Sequence, residues 1–428
     1  MAKVNHGRLG GEGGDDTFED ANEVVRCAEI GEECDHSILR AYFDHNATTP
    51  LRPEVLDAMV EVYRDTFGNA SSIHHYGQTA RQRLEAARRQ VGALIGAKAE
   101  EIVFTSGGTE SNNLAIFGLA PARPGHFVTS AIEHPAVLQV ADELERQGHT
   151  VTRVPARASG GEASGGEASG GEASGVVDPE DIARALRPET FAVSLMAVNN
   201  EIGTVQPVAE VGKLVRERGI FFHCDAVQAP GRVAVDVNAW NVDLLTLSAH
   251  KFYGPKGVGA LYVRKGVPLR KVSFGGRHER DRRPGTENVP AAVGMGEAAA
   301  RVKRMSPTLR DWLEEQVLAR IPEAYVNGDR ERRAPNVSNL RFPGIEGEAI
   351  VIGLDLKGAA VSSGAACSSG AVAPSHVLLA LGLSAKDARS SIRVSLGEGN
   401  TREEVESLVE SLESVVMRLR KLSPAYAR

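Results

Sequence analysis

Ser248-Ala249-His250-Lys251-Phe252-Tyr253-Gly254-Pro255-Lys256-Gly257 follows the apolar run Val242 to Leu247 and sets a lysine just before a Gly/Pro-rich turn. An apolar run of that length closed by such a turn reads as a buried strand, so Lys251 projects at the strand's carboxyl end, where open α/β sheets bind ligands. Burial lowers a lysine's pKa and makes the amine nucleophilic, and an amine of that kind can hold an aldehyde cofactor as a Schiff base. Taken alone, a strand-end lysine reads more simply as one snorkelling to solvent. The rest of the chain decides between the two.

Outward from this stretch, apolar runs at Ile102 to Thr105, Phe191 to Val198, Ile220 to Asp225, Val242 to Leu247 and Gly259 to Val263 alternate with helical segments. That alternation predicts an α/β fold with a mostly parallel sheet covered by helices on both faces. Nearer the C-terminus, Thr401 and Glu404 have capping-box spacing. Val405, Leu408, Val409, Leu412, Val415, Val416 and Leu419 then recur at helical period, predicting an amphipathic helix of a smaller α+β domain. The expected division is a large domain over residues 41–300, with 41–55 packing on the small domain, and a small domain over 301–428.

Residues 1–40 carry ten Asp/Glu against four Lys/Arg, a balance of −6, so of the net charge of −7 only −1 remains for the other 388 residues. No basic stripe of the kind a nucleic-acid surface needs is present, and no nucleic-acid ligand is expected. The Gly-rich, acidic residues 1–40 read as an extension, disordered in part. Between Ala158 and Gly175 the unit Ala-Ser-Gly-Gly-Glu occurs three times and is followed by a partial copy, which reads as a flexible loop insertion. Four irregularly spaced cysteines, Cys27, Cys34, Cys224 and Cys367, do not make a disulfide framework and suit a reducing compartment. Cys27 and Cys34 read as incidental thiols, and no metal site is expected. With no signal-peptide h-region and no membrane-length apolar run, a cytoplasmic location and no membrane partner are expected.

Asp225, in His223-Cys224-Asp225-Ala226-Val227-Gln228, ends the preceding apolar strand at the same sheet edge as Lys251. Its simplest reading is a helix N-cap, but a buried aspartate beside a cofactor lysine suits a cationic partner such as a protonated pyridine nitrogen. Phe104 to Asn113 reads as strand, Gly107-Gly108 turn and helix start. Glycines there let backbone N–H groups approach an anion, and Thr109 adds a hydroxyl.

Asp44-His45-Asn46-Ala47-Thr48-Thr49, Thr105 to Glu110, Glu133-His134, Asn199-Asn200-Glu201-Ile202-Gly203, His223 to Gln228, Ser248 to Lys251, Arg283-Pro284-Gly285-Thr286-Glu287-Asn288 and Ser363 to Gly370 stand in one order along the chain. Together they resemble the motif set of the cysteine desulfurases of the NifS/IscS type, in class V of the aminotransferase-like enzymes, from about Tyr42 to the C-terminus. The resemblance implies the aspartate-aminotransferase-like fold of pyridoxal 5'-phosphate enzymes (fold type I). It also implies Lys251 as the Schiff-base lysine, Asp225 as the pyridinium partner and Gln228 as donor to the ring's phenolic oxygen. His134 stacks on the ring and moves protons, and Gly108, Thr109, Ser248 and His250 hold the phosphate. Thr286 serves the phosphate site of a neighbouring subunit, since the family is dimeric. Asn200 lies near ring and substrate, and Arg393 grips the substrate carboxylate, a task that suits a bidentate fork.

Cys367 lies in a Gly/Ala/Ser-rich stretch, Ser362 to Gly370, too poor in side chains to pack rigidly, and the resemblance makes it the thiol that accepts sulfur as a persulfide. Cys224 alternates with Asp225 along a strand and should pack on the other face. The reaction implied converts L-cysteine to L-alanine and passes sulfur to an acceptor such as a NifU- or IscU-like scaffold, a sulfur carrier or a tRNA-thiolation protein. Selenocysteine lyase and cysteine sulfinate desulfinase are the nearest alternatives, and a docking module that keeps only the fold is another. His45, Ala70 and Arg277 depart from the family pattern, at positions where asparagine, proline, and glycine or glutamine are more usual.

Overall fold

Mostly apolar, buried segments build the central sheet, with more polar strands at one edge. The computed structural model describes residues 40–156, 174–363 and 373–423. The first 39 residues, the three full Ala-Ser-Gly-Gly-Glu units and Cys27, Cys34 and Cys367 lie outside them. Everything described belongs to one compact unit that starts at Leu39.

After the short strand β1 (Ala41–Tyr42), seven strands form one sheet: β2 (Ile102–Thr105), β3 (His126–Ser130), β4 (Thr150–Val154), β5 (Thr190–Ser194), β6 (Phe221–Asp225), β7 (Leu244–Ser248) and β8 (Gly259–Val263). Their spatial order is β2-β8-β7-β6-β5-β3-β4. β8 runs antiparallel to both neighbours, and the pairings from β7 to β4 are all parallel. The mostly parallel α/β sheet expected from the alternation is therefore present, and the five expected apolar runs correspond to β2, β5, β6, β7 and β8. Because β2 opposes β8, it points the same way as the parallel strands. The carboxyl ends of β2, β3, β5, β6 and β7 thus share one edge.

Helices cover both faces, as continuous apolar strands require. Gly108–Leu119 and Pro135–Arg146 bury Leu114, Ile116, Val140 and Leu144 against Phe127 and Leu261. On the other face His75–Leu94, Val208–Arg216 and Val289–Ala300 contribute Leu84, Val91, Val211, Val215 and Met295 to a larger core.

A second core lies under a three-stranded antiparallel sheet of β9 (Tyr325–Asn327), β10 (Val337–Arg341) and β12 (Ser391–Ser395), ordered β12-β10-β9, while β11 (Ala359–Ala360) pairs in parallel with β1. The expected C-terminal helix runs Arg402–Leu422, and its capping box is made: Glu404 N donates to Thr401 Oγ1 at 3.2 Å and Thr401 N to Glu404 Oε2 at 3.1 Å. Its buried stripe, Val405 to Val416, packs on the helices Gly347–Asp355 and Thr308–Arg320. Burying each such side chain contributes roughly 1.5–3 kcal/mol. Phe43 belongs to this second core and Val55 to the large one, so the segment between them crosses from one to the other. Ser395 bridges to Asp44, which brings β12 to the edge of the large sheet where the strands end. Among the described residues no helix is long and apolar enough to cross a membrane.

Candidate active site

At the end of β7 the chain makes one tight turn, Ala249–Lys251, and this swings the Lys251 side chain back over the strand ends. Its Nζ donates to the carbonyls of Asn46 at 2.6 Å and Ala47 at 2.8 Å. Burial, followed by the Arg393 and Arg232 guanidiniums, pulls this amine down to about 7, against the opposing pull of Asp44 and Asp225. A large share of the amine is therefore uncharged and nucleophilic at neutral pH.

Asp225 ends the neighbouring strand, 5% exposed, with Oδ2 accepting from Asn112 Nδ2 at 2.7 Å and Oδ1 from Val227 N at 3.0 Å. Gln228, one turn on, donates from Nε2 to Asn46 O at 2.9 Å and leaves a buried Oε1 without a partner. Across from them begins the helix Gly108–Leu119, whose first-turn N–H groups have no intrahelical acceptors and form its positive end. Gly108 is required there, since a Cβ would lie 2.8 Å from Val227 Cγ2. The imidazole of His250 meets Thr48 Oγ1 at 3.1 Å through Nδ1, and burial and the Lys251 and Lys256 charges lower it to about 4. It is neutral at pH 7.

His134 N-caps the helix Pro135–Arg146, with Nδ1 accepting from Ala136 N at 3.1 Å, which puts the proton of the neutral ring on Nε2. Burial holds its pKa below the usual histidine range, with Asp225 opposing and Lys251 and His376 assisting. Beside it Glu133 is fully buried; Oε1 accepts from Ser130 Oγ and Met196 N, and burial pushes the carboxyl up to about 8.

From β12, Arg393 reaches across to the large sheet. Nη2 meets Asp44 Oδ1 at 2.6 Å, Nη1 donates to Asn200 O at 3.1 Å, and Nε has no partner. One cavity of about 300 Å³ is lined by Gly108, Thr109, His134, Asn200, Asp225, Gln228, Ser248, His250, Lys251 and Arg393. Two expected residues are not among its walls. Thr286 is exposed on the loop before the helix Val289–Ala300, and Cys367 lies outside the described residues. Cys224 is fully buried in the large core, facing away from the cavity side of Asp225, and burial raises its thiol pKa well above the ordinary value.

Sequence reasoning assigned no role to Asp44, Asn46, Asn112, Glu133 or Arg232. Asn46 is the hub: N donates to Ser395 Oγ, Nδ2 to Asn200 O, Oδ1 accepts from Arg232 and Asn336, and the carbonyl serves both Gln228 and Lys251. The signal that could have found Asp44 and Asn46 was the motif Asp44 to Thr49 itself, polar residues packed into a stretch preceding any strand of the large sheet. His45, the departure from the family pattern, is buried against Tyr42, where a Cβ on Gly397 would lie 2.1 Å from its ring. It faces a small neighbouring cavity that also touches Lys251 and leaves the larger one undisturbed.

The donor set suits a flat, anion-tailed aldehyde cofactor. The glycine-lined helix terminus with Thr109, Ser248 and His250 suits a phosphate, buried Asp225 suits a cationic ring nitrogen, and the Lys251 amine suits a carbonyl carbon. The unpartnered Gln228 Oε1 and Asn112 Oδ1 mark polar positions that the protein itself leaves unmatched.

A family model described as Aminotransferase class-V matches residues 41–408. The cysteine desulfurase IscS of Dictyoglomus turgidum is 45% identical over 394 residues, covering 90% of this chain and 96% of that protein. Among solved structures, a NifS-like protein aligns with a TM-score of 0.80 at 35% identity over 89% of this chain and 100% of its own. One described as SspA in complex with cysteine aligns at 0.73 and 36% over 83% and 98%. With this fold and these matches along nearly the whole described length, the chain belongs to the class-V aminotransferase family and, within it, to the cysteine desulfurases of the NifS/IscS type.

Proposed function

We propose that the cavity holds pyridoxal 5'-phosphate and L-cysteine together, and that the chain releases L-alanine while the sulfur passes to Cys367. The observation that carries this reading is the convergence of a depressed lysine amine, a buried aspartate and an arginine fork with free capacity on one cavity. When bound, the cofactor supplies an electron sink for bond changes at the substrate's Cα and Cβ. Lys251 would hold the cofactor through its Nζ and would take up the proton from substrate Cα. Asp225, braced by Asn112, would keep the proton on the ring nitrogen. Gly108, Thr109, Ser248 and His250 would hold the phosphate, and the remaining N–H of Gln228 would be the donor to the phenolic oxygen. His134 would stack on the ring and supply a proton from Nε2, Asn200 would contact ring and substrate, and Arg393 would fix the carboxylate. Cys367 Sγ, as thiolate, then bonds the substrate sulfur as the carbon–sulfur bond breaks, which leaves a persulfide.

The same reading assigns residues 41–300 to cofactor binding and 301–428 to a smaller domain, a division favoured by the second core, which gathers Leu313, Leu340, Ile392 and Leu412, although Val337, Val377 and Leu378 pack into the large core. It makes the enzyme a cytoplasmic homodimer. Phe67, Ile73 and Phe274 are 72%, 93% and 85% exposed, an apolar content that favours cover by a second copy. In that dimer Thr286 serves the neighbouring phosphate site. A NifU- or IscU-like scaffold is the proposed acceptor, in iron–sulfur cluster assembly. The test is mass spectrometry of the enzyme after cysteine, which should find added sulfur on the peptide holding Cys367. Cys367→Ser should keep cofactor colour and its change with cysteine but make neither alanine nor sulfide; sulfur found only on Cys27, Cys34 or Cys224 contradicts the reading.

A further inference from the structure

Arg232 is a buried cation without an anion. Only 5% exposed, it donates from Nε to Asn336 Oδ1 at 3.1 Å, from Nη1 to Gln228 O at 3.1 Å and from Nη2 to Asn46 Oδ1 at 3.2 Å. All three acceptors are neutral amide oxygens. No carboxylate among the described residues pairs with it, although the other guanidinium at this site, Arg393, has Asp44. A buried charge left unpaired is costly, and its persistence points to a use. The use is readable from its surroundings. Asn46 links it to the lysine directly: one end of that residue accepts from Arg232, and its carbonyl accepts Lys251 Nζ at 2.6 Å.

We propose that Arg232 is a positioning residue for Lys251, whose uncompensated charge, relayed across Asn46, keeps the lysine amine uncharged and ready to form its bond at neutral pH. This rests on Lys251 being the cofactor lysine. Other charges face the same amine. Arg393 acts in the same sense, Asp44 and Asp225 act against it, and His134 and His250 lie close enough to feel Lys251, with Lys256 beyond His250. Around Arg232 itself stand Tyr253, Arg393 and His45, the last held neutral by burial first and by Arg232 next. Arg393 is committed to Asp44 and to substrate, which leaves Arg232 as the constant member of the pair. The carbonyls that share Lys251 also fix its direction, so a change at Arg232 acts on both the charge and the aim of Nζ.

The test measures the ionisation of Lys251 in the full chain stripped of cofactor. Trace labelling with acetic anhydride across a pH series, read by peptide mass spectrometry, gives the pKa of Lys251, with exposed Lys98 as internal reference. Arg232→Met and Arg232→Gln should raise the Lys251 value by about one unit, roughly a tenfold loss of free amine below the pKa, while leaving Lys98 unmoved. Arg232→Lys should restore most of the shift. Asn336→Asp, which keeps Arg232 and sets a carboxylate against its Nε, should raise the value in the same direction and serves where the neutral variants do not fold. An unchanged Lys251 value in the neutral variants or in Asn336→Asp overturns the proposal, as does an Arg232→Lys value equal to that of Arg232→Met. Borohydride reduction of the wild-type holoenzyme separates the two levels: cofactor fixed to a residue other than Lys251 defeats the underlying reading, whatever the labelling gives.

Discussion

Arg88, on the helix His75–Leu94, and Arg393, in the middle of β12, are both buried arginines, and their forks are used in opposite ways. Arg88 is saturated. Nη1 meets Glu279 Oε2 at 2.6 Å and Ile102 O at 2.8 Å, Nη2 meets Glu279 Oε1 at 2.9 Å, Nε meets Glu85, and the guanidinium lies 4.8 Å over the Phe104 ring. Glu279 also accepts from Phe104 N at 2.9 Å. Arg393 spends one Nη on a single carboxylate oxygen and the other on a carbonyl, and it keeps Nε unmatched beside the cavity. The closed fork holds structure, here the run Glu279-Arg280-Asp281, whose φ values of 44°, 55° and 67° are strained for residues with side chains. The open fork keeps capacity for a ligand carboxylate. Burial of an arginine therefore says little about its role until each nitrogen is followed to its acceptor.

The sharpest break between the two regions comes from the lysine that shares the open side. Lys251→Ala should abolish alanine formation from cysteine, a loss of at least about 10²- to 10⁴-fold, with the fold intact by circular dichroism. Next is stability. Arg88→Met leaves Glu279 buried and unpaired and should cost about 3–5 kcal/mol in denaturant unfolding, with the KM for cysteine little changed. Arg393→Lys should do the reverse, raising KM for cysteine about 10- to 100-fold while the unfolding midpoint stays near wild type, because an ammonium cannot replace a fork.

These contrasts also show what the sequence could and could not reveal. The positions of Lys251, Asp225 and Gly108 at one sheet edge were legible because each ends its own strand or follows it within a few residues, where an apolar run and a turn are read together. The roles of Asp44, Asn46 and Arg232 were not. The Arg393–Asp44 and Lys251–Asn46 contacts span 349 and 205 residues, and a polar side chain carries no mark of a partner so distant. The same limit hid β3 and β4. They carry His126, Thr150, Thr152 and Arg153 in place of an apolar run, and the His126 ring is satisfied only across the sheet, by Thr190 and Thr152 hydroxyls at 2.8 Å each. The helix Arg402–Leu422 was legible to its first residue because its cap is local.

Smaller effects sharpen the picture on the cofactor side. Glu133 has its pKa raised to about 8 in the folded chain, above its ordinary 4.5, so the folded state binds the extra proton between those values. Stability from this group is then full below about 4.5 and falls as pH rises through 8. Glu133→Gln keeps the acceptor for Ser130 and Met196, so its unfolding free energy relative to wild type should rise from pH 5 to about pH 8, by a few kcal/mol in all, and level off above that. A flat difference would mean that Glu133 is already charged. Smallest of all, deleting Ala158 to Glu172 should leave cysteine turnover unchanged and stability equal or slightly higher, since halving the length of a connecting segment shifts closure entropy by only about 0.6 kcal/mol. Loss of sulfur transfer to an acceptor alone, with turnover intact, would instead give the three glutamates of the array a docking role.

The account turns on the Lys251 amine being the group that binds the cofactor at the open side of this cavity. Reduction of the holoenzyme with borohydride, followed by peptide mapping, tests that directly. The account predicts the cofactor's mass on the peptide containing Lys251, and its loss in Arg393-intact Lys251→Ala protein. Cofactor fixed to any other lysine, or an equal yield from Lys251→Ala, would contradict it.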